Sequence, residues 1–132
     1  MQDDPRYGDV ALEVAACLKA RAQAAMTAGV RREAIWIDPG LGFGKTAAHS
    51  LVLLGRMDLI TGLGFPVVLG ASRKSFIGRI DGAARPADDR LGGSLAAALA
   101  AARAGVAVVR VHDVRQTRQA LAVQAAIAAA SA

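Results

Sequence analysis

The chain has 132 residues, 54% of them hydrophobic, 20% charged and 4% aromatic, with a formal net charge of +5. That is enough for one domain with a core, too apolar for a disordered chain, and without the apolar run of about 18 residues that spans a membrane. A basic balance favours anionic partners, but too few aromatics interleave with the basic residues for a nucleic-acid surface, and a single cysteine, Cys17, excludes an internal disulfide.

In chain order, Asp9 is placed to cap a helix over residues 10–28, with Leu12, Ala15, Ala16, Leu18 and Ala22 inward and Gly29 as its stop. Cys17 falls within this helix and is expected in the core. Ile35-Trp36-Ile37 reads as a short buried strand that ends in the Asp38-Pro39-Gly40 turn. A second helix fits residues 50–60, with Leu51, Leu54 and Leu59 inward. A second strand covers 66–69, a third helix 91–104, a third strand 106–111, and a last helix runs from after Asp113 to about Ala130. The predicted order is α-β-α-β-α-β-α, in a single unit over residues 1–132. Strand starts near residues 35, 66 and 106 suit βαβ units of about 30 or more residues, and continuous apolar strands indicate a parallel sheet covered on both faces.

In parallel α/β folds functional groups gather where strands end and helices begin. Here the three strand ends carry Asp38 through Thr46, Gly70 through Ser75, and Arg110 through Asp113. Charge follows directly after all three apolar runs, which points to a polar site for an anionic or hydrogen-bonding ligand. The first segment ends in Gly44-Lys45-Thr46, the close of a phosphate-binding G-x-x-x-x-G-K-S/T loop, but the required first glycine falls on Pro39. Its glycines instead alternate, giving tight turns and close approach to a flat ligand, with Phe43 available to cover it.

Each candidate also has a plainer role. Asp38 either pairs with a planar amidine or guanidine edge or caps the turn at Pro39-Gly40. Ser72 is a carboxylate donor or an ordinary turn hydroxyl, and Arg73 and Lys74 hold anions and ring carbonyls or line a solvated loop. Arg110 and His112 alternate with valines, so both project from one face of the strand, toward a ligand or toward solvent. His49 reads as solvated, and no nucleophile–base triad or metal-ligand spacing stands out.

Asp38 through Lys45, Gly70 through Ser75 and Arg110 through Val114 occur in the order and spacing of dihydropteroate synthases, which the chain resembles over essentially its whole length. Arg90-Leu91-Gly92-Gly93-Ser94 also looks like that family, and Met1-Gln2 with Pro5, Tyr7 and Asp9-Val10 resembles an internal part of it. The resemblance implies a cytoplasmic transferase of folate biosynthesis, the sulfonamide target. Such an enzyme joins 6-hydroxymethyl-7,8-dihydropterin diphosphate to 4-aminobenzoate and releases diphosphate. It implies that Asp38, Phe43, Gly70, Lys74 and Arg110 bind the pterin, with Asp38 on its amino-pyrimidine edge. Phe43, Ser72 and Arg73 would serve the aminobenzoate, and Arg110 and His112 the diphosphate. It further implies Mg2+, held by a residue outside this sequence, and a homodimer through the late helices.

The family fold is a (β/α)8 barrel, which takes about 250 residues. The three strands and their helices resemble its C-terminal part, from the helix after the fifth strand onward. On that reading Met1 is an internal methionine or the edge of an incomplete sequence, and the chain is inactive by itself. Two other readings are a non-catalytic pterin-binding or assembly fragment, and an unrelated α/β protein that binds phosphate ligands.

Overall fold

The computed structural model describes residues 5–132, so the Met1-Gln2 portion of the resemblance lies outside the described residues. Asp9 caps α1 (Val10–Thr27), its carboxylate accepting from the N–H groups of Ala11 and Leu12 at 3.1 Å each. Glu13 reaches back to the Gly8 and Asp9 N–H groups at 2.6 and 3.1 Å, so free donors at the helix start are satisfied from both directions. The helix stops at Gly29, whose φ of +96° lets its N–H reach the Met26 carbonyl while that of Val30 reaches Ala25. The inward face differs from expectation. Val10, Ala11, Val14, Ala15 and Ala22 are buried, whereas Leu12, Ala16 and Cys17 are exposed. Valines at i and i+4 beside alanines at i+1 and i+5 define a face that leaves Leu12 and Ala16 on its solvent side.

The expected helix over 50–60 is two helices, α2 (Ala47–Gly55) and α3 (Asp58–Thr61), parted by a turn at Arg56-Met57. α2 begins earlier than predicted because Thr46 and His49 make a reciprocal cap. The His49 N–H donates to Thr46 Oγ1 at 3.1 Å, and the Thr46 N–H donates to His49 Nδ1 at 3.2 Å. His49 is thus part of the cap and not simply solvated. It takes the place usually held by Glu or Gln. Leu53 and Ile60 supply the buried face, while Leu51 is exposed and Leu54 and Leu59 are half-buried.

The strands are parallel, as expected, but shorter. β1 (Val68–Leu69) pairs with β2 (Val108–Val109), Val68 opposite Val108 and Leu69 opposite Val109. The predicted strand at 35–37 contributes one parallel bridge, Ile37 to Val67. Beyond β1 the chain forms α4 (Ser75–Ile80), a helical element the sequence reading did not contain, then a short 3-10 turn at Ala87–Arg90 leading into α5 (Leu91–Arg103). α6 (Val114–Ala130) follows β2. The chain is therefore α/β with parallel strands, and the regular alternation is replaced by the order α1, bridge, α2, α3, β1, α4, α5, β2, α6. Leu41, Leu53, Met57, Ile60, Val67 and Leu69 are almost fully buried at the centre, between the strands and α1 to α3. Among the described residues no helix is long and apolar enough to cross a membrane.

Candidate functional site

Three loops, each leaving a strand position, carry the candidate residues. In the first, Gly40, Gly42 and Gly44 have φ of +67°, +77° and +56°, so the alternating glycines allow a path that other residues would strain to follow. Asp38 starts this path, one carboxylate oxygen accepting the Gly40 N–H at 2.7 Å. The turn role foreseen for Asp38 is therefore present, and Oδ2 accepts no hydrogen bond from the described residues. Lys45 folds back on the loop and donates to the carbonyls of Gly40 and Phe43, both at 3.1 Å. Burial pushes its ammonium below the ordinary lysine pKa, and the Asp38 charge works against that fall. With Thr46 capping α2, Gly44-Lys45-Thr46 closes a turn and does not form a phosphate loop.

Phe43 is 57% exposed, and its ring carries the Lys74 ammonium 4.0 Å from its centre. Lys74 crosses from the second loop along Gly42, where a β-carbon would stand 3.3 Å from its Cδ, and donates to the Leu41 carbonyl at 2.8 Å. Burial lowers the Lys74 pKa, the nearby Arg110 lowers it further, and Asp38 opposes both.

The second and third loops are joined rung by rung. The Arg110 guanidinium lies over Gly70, whose missing β-carbon would come within 3.4 Å of Nη2. Ser72 Oγ lies 3.0 Å from His112 Nδ1 and accepts the His112 N–H at 3.2 Å. Arg73 makes a forked pair with Asp113, Nε to Oδ2 at 3.2 Å and Nη2 to Oδ1 at 2.9 Å, while Nη1 meets Asp88 at 2.7 Å. The fork raises the Arg73 pKa and holds the Asp113 carboxyl below its usual range, in each case chiefly through the hydrogen bond between them. The β1–β2 register pairs residues forty apart, and Ser72–His112 and Arg73–Asp113 keep that offset beyond the last backbone pair.

Asp38, Phe43, Lys74, Gly70, Arg110, Ser72 and His112 are thus brought to one end of the short sheet. Arg73 is there as backbone, its guanidinium committed to two aspartates. Sequence reasoning gave no role to Asp113, Asp88 or Ser94, or to the inward fold of Lys45. The available signal was charge complementarity between strand ends, Arg73 on one and Asp113 on the next. Among the described residues no group of three His, Cys, Asp or Glu side chains is placed to hold a metal ion.

A family model described as pterin binding enzyme matches residues 1–112. The chain belongs to that family. Among curated relatives, it is 45% identical to the dihydropteroate synthase of Neisseria meningitidis over 96% of this chain and 45% of that protein. Among solved structures, the Xanthomonas albilineans dihydropteroate synthase in complex with 7,8-dihydropteroate superposes with a TM-score of 0.92 at 42% identity, over 98% of this chain and 49% of that one. The Thermus thermophilus enzyme in complex with 6HMPPP gives 0.87 at 48% identity, over 96% and 50%. The chain therefore spans about half the length of these relatives. Membership of this family removes the alternative of an unrelated phosphate-binding protein.

Proposed function

We propose that the chain supplies the C-terminal half of a dihydropteroate synthase site, as a single partial domain over residues 1–132 that completes a (β/α)8 barrel. The observation that carries this reading is the convergence of Asp38, Lys74 and Arg110, with the Ser72–His112 pair, on the ends of parallel strands.

In this reading the unengaged oxygen of Asp38 takes the amino-pyrimidine edge of the pterin, its other oxygen being held by the Gly40 N–H. Lys74, fixed by the Leu41 carbonyl, offers its remaining donors to the pterin ring, and Phe43 covers pterin and 4-aminobenzoate together. The turn at Gly70 keeps space beneath Arg110, which lies against the pterin and toward the diphosphate. His112 donates to diphosphate through the ring nitrogen not facing Ser72. Ser72, in the Arg73 neighbourhood, receives the aminobenzoate carboxylate.

The reaction joins the 4-aminobenzoate nitrogen to the pterin methylene as diphosphate departs. Cationic groups stabilise the charge that develops on the leaving group, and pterin and amine are held in line, so no protein nucleophile is needed. Among the described residues no group of three or more His, Cys, Asp or Glu side chains is placed to hold Mg2+. Any ion at this reaction would be held by other parts of the enzyme. A cytoplasmic location and a homodimer through the late helices complete the proposal. The reading that this span binds without turning over rests on its covering about half of its relatives.

Asp38→Asn tests the assignment because the amide oxygen still accepts the Gly40 N–H while the amide nitrogen cannot accept from a guanidine edge. Calorimetric titration with the pterin diphosphate should show binding to the 132-residue chain, weakened at least about tenfold by the substitution. Equal affinity of the two proteins would overturn the role of Asp38. Rapid dihydropteroate formation by the isolated chain would overturn the binding-only reading.

A further inference from the structure

The turn that carries Ser72 and Lys74 is held from behind by a closed ring of hydrogen bonds. The Arg73 N–H donates to Ser94 Oγ at 2.8 Å, Ser94 Oγ donates to the Arg90 carbonyl at 2.7 Å, and Arg90 Nη1 returns to the Arg73 carbonyl at 2.8 Å. Both backbone polar groups of Arg73 are therefore fixed by the start of α5, while its side chain is forked to Asp113 at the start of α6. Arg73 is the one non-glycine residue with positive φ among the described residues, at +59°. A left-handed conformation in a residue with a β-carbon costs free energy and persists where surrounding contacts over-determine it. Here those contacts are identified. The segment is also built for close approach: Ser94 is buried, and the adjacent Gly93 packs where a β-carbon would meet Ile77 Cγ2 at 2.4 Å.

We infer that Ser94, Arg90 and Asp113 are positioning residues, which hold Arg73 in its left-handed turn and so set the directions of Ser72 and Lys74 on either side of it. The inference rests on the reading that those two side chains face substrate. The reversal of direction at Arg73 sends Ser72 toward His112 and Lys74 toward Leu41 and Phe43. Relaxing the turn releases both at once. Ser72 Oγ accepts the His112 N–H and also lies against Nδ1, so the clamp that places Ser72 also biases which ring nitrogen of the neutral imidazole carries the proton. Asp88 is different: its side chain is 85% exposed, so its ion pair with Arg73 is screened and adds little.

The test uses the 132-residue chain and the variants Ser94→Ala, Asp113→Asn and Asp88→Ala, with far-ultraviolet circular dichroism confirming that each is folded. Imidazole 15N shifts of His112, measured with the ring neutral, report its tautomer without any ligand. Titration with 4-aminobenzoate in the presence of the pterin diphosphate reports the site. The expected result is the same tautomer ratio in the parent and in Asp88→Ala, and a changed ratio in Ser94→Ala and Asp113→Asn. The latter two should bind 4-aminobenzoate about fivefold to tenfold more weakly. A folded Ser94→Ala that keeps the tautomer ratio and binds within about twofold of the parent overturns the inference. If Ser94→Ala does not fold, Asp113→Asn is judged by the same criterion. If the parent binds no 4-aminobenzoate, the substrate reading fails, and the His112 shifts still decide whether the clamp orients the pair.

Discussion

Lys74 rests its ammonium on the face of Phe43, 4.0 Å from the ring centre, although the two residues belong to different strand-end loops. The contact joins a cation, an aromatic ring and the backbone of Leu41, a buried residue of the first loop, in one arrangement. Its charge state depends on burial, then on Arg110, with Asp38 opposing. Arg110→Met should raise the Lys74 pKa and Asp38→Asn should lower it, read from the 13Cε shift of Lys74 against pH. The folded value lies below the ordinary 10.5, so folding binds fewer protons here and the cost of the buried charge is full at neutral pH. That cost is relieved as pH rises from the folded value toward 10.5, and Lys74→Met should flatten this rise in stability.

The Arg73–Asp113 fork gives the same sign, stability rising with pH, but in the acid range. The folded pKa of Asp113 lies below 3.8, so its contribution is fully present above that value and disappears as pH falls through the folded pKa. The urea midpoint of the parent should therefore exceed that of Asp113→Asn at pH 6, and the gap should shrink steadily once the pH drops below 3.8. A gap that persists unchanged at pH 2 would refute the assignment.

Two adjacent glycines in the first turn of α5 should respond with opposite sign. A β-carbon at Gly92 meets nothing within 4 Å, so Gly92→Ala gains helix propensity and should stabilise by about 0.5–1 kcal/mol. At Gly93 the new carbon would fall 2.4 Å from Ile77 Cγ2, and Gly93→Ala should destabilise by about 1–3 kcal/mol. Urea denaturation of the two single variants checks both signs.

Thr46 anchors the reciprocal cap of α2, and Thr46→Ala should cost about 1 kcal/mol in the same assay. Serine at this position keeps the oxygen and should recover most of the loss.

Much of this architecture was legible in the sequence. Asp9 and Gly29 marked helix ends because caps and stops are local chemistry. The polar groups behind apolar runs marked the site because strand ends in parallel sheets converge. What could not be read depended on distant partners. Cys17 and Leu12 look inward by composition, yet the face of α1 is chosen by what α2 and α3 present to it. The break at Arg56 coincides with the reach of its side chain to Asp9 at 2.7 Å, a contact between residues 47 apart. Arg73 looked like a ligand-binding cation because the aspartates that engage it lie 15 and 40 residues away.

The common offset of forty residues along Val68–Val108, Leu69–Val109, Ser72–His112 and Arg73–Asp113 bears on which changes of chain length the protein tolerates. A residue inserted between Leu69 and Ser72 would leave the backbone pairs matched and put both side-chain rungs out of step. The same insertion beside exposed Gly82, in the turn after α4, would be absorbed before the chain reaches the second half of each rung. Lineages of this protein should therefore vary in length at that turn and hold a fixed count in the three residues that follow β1.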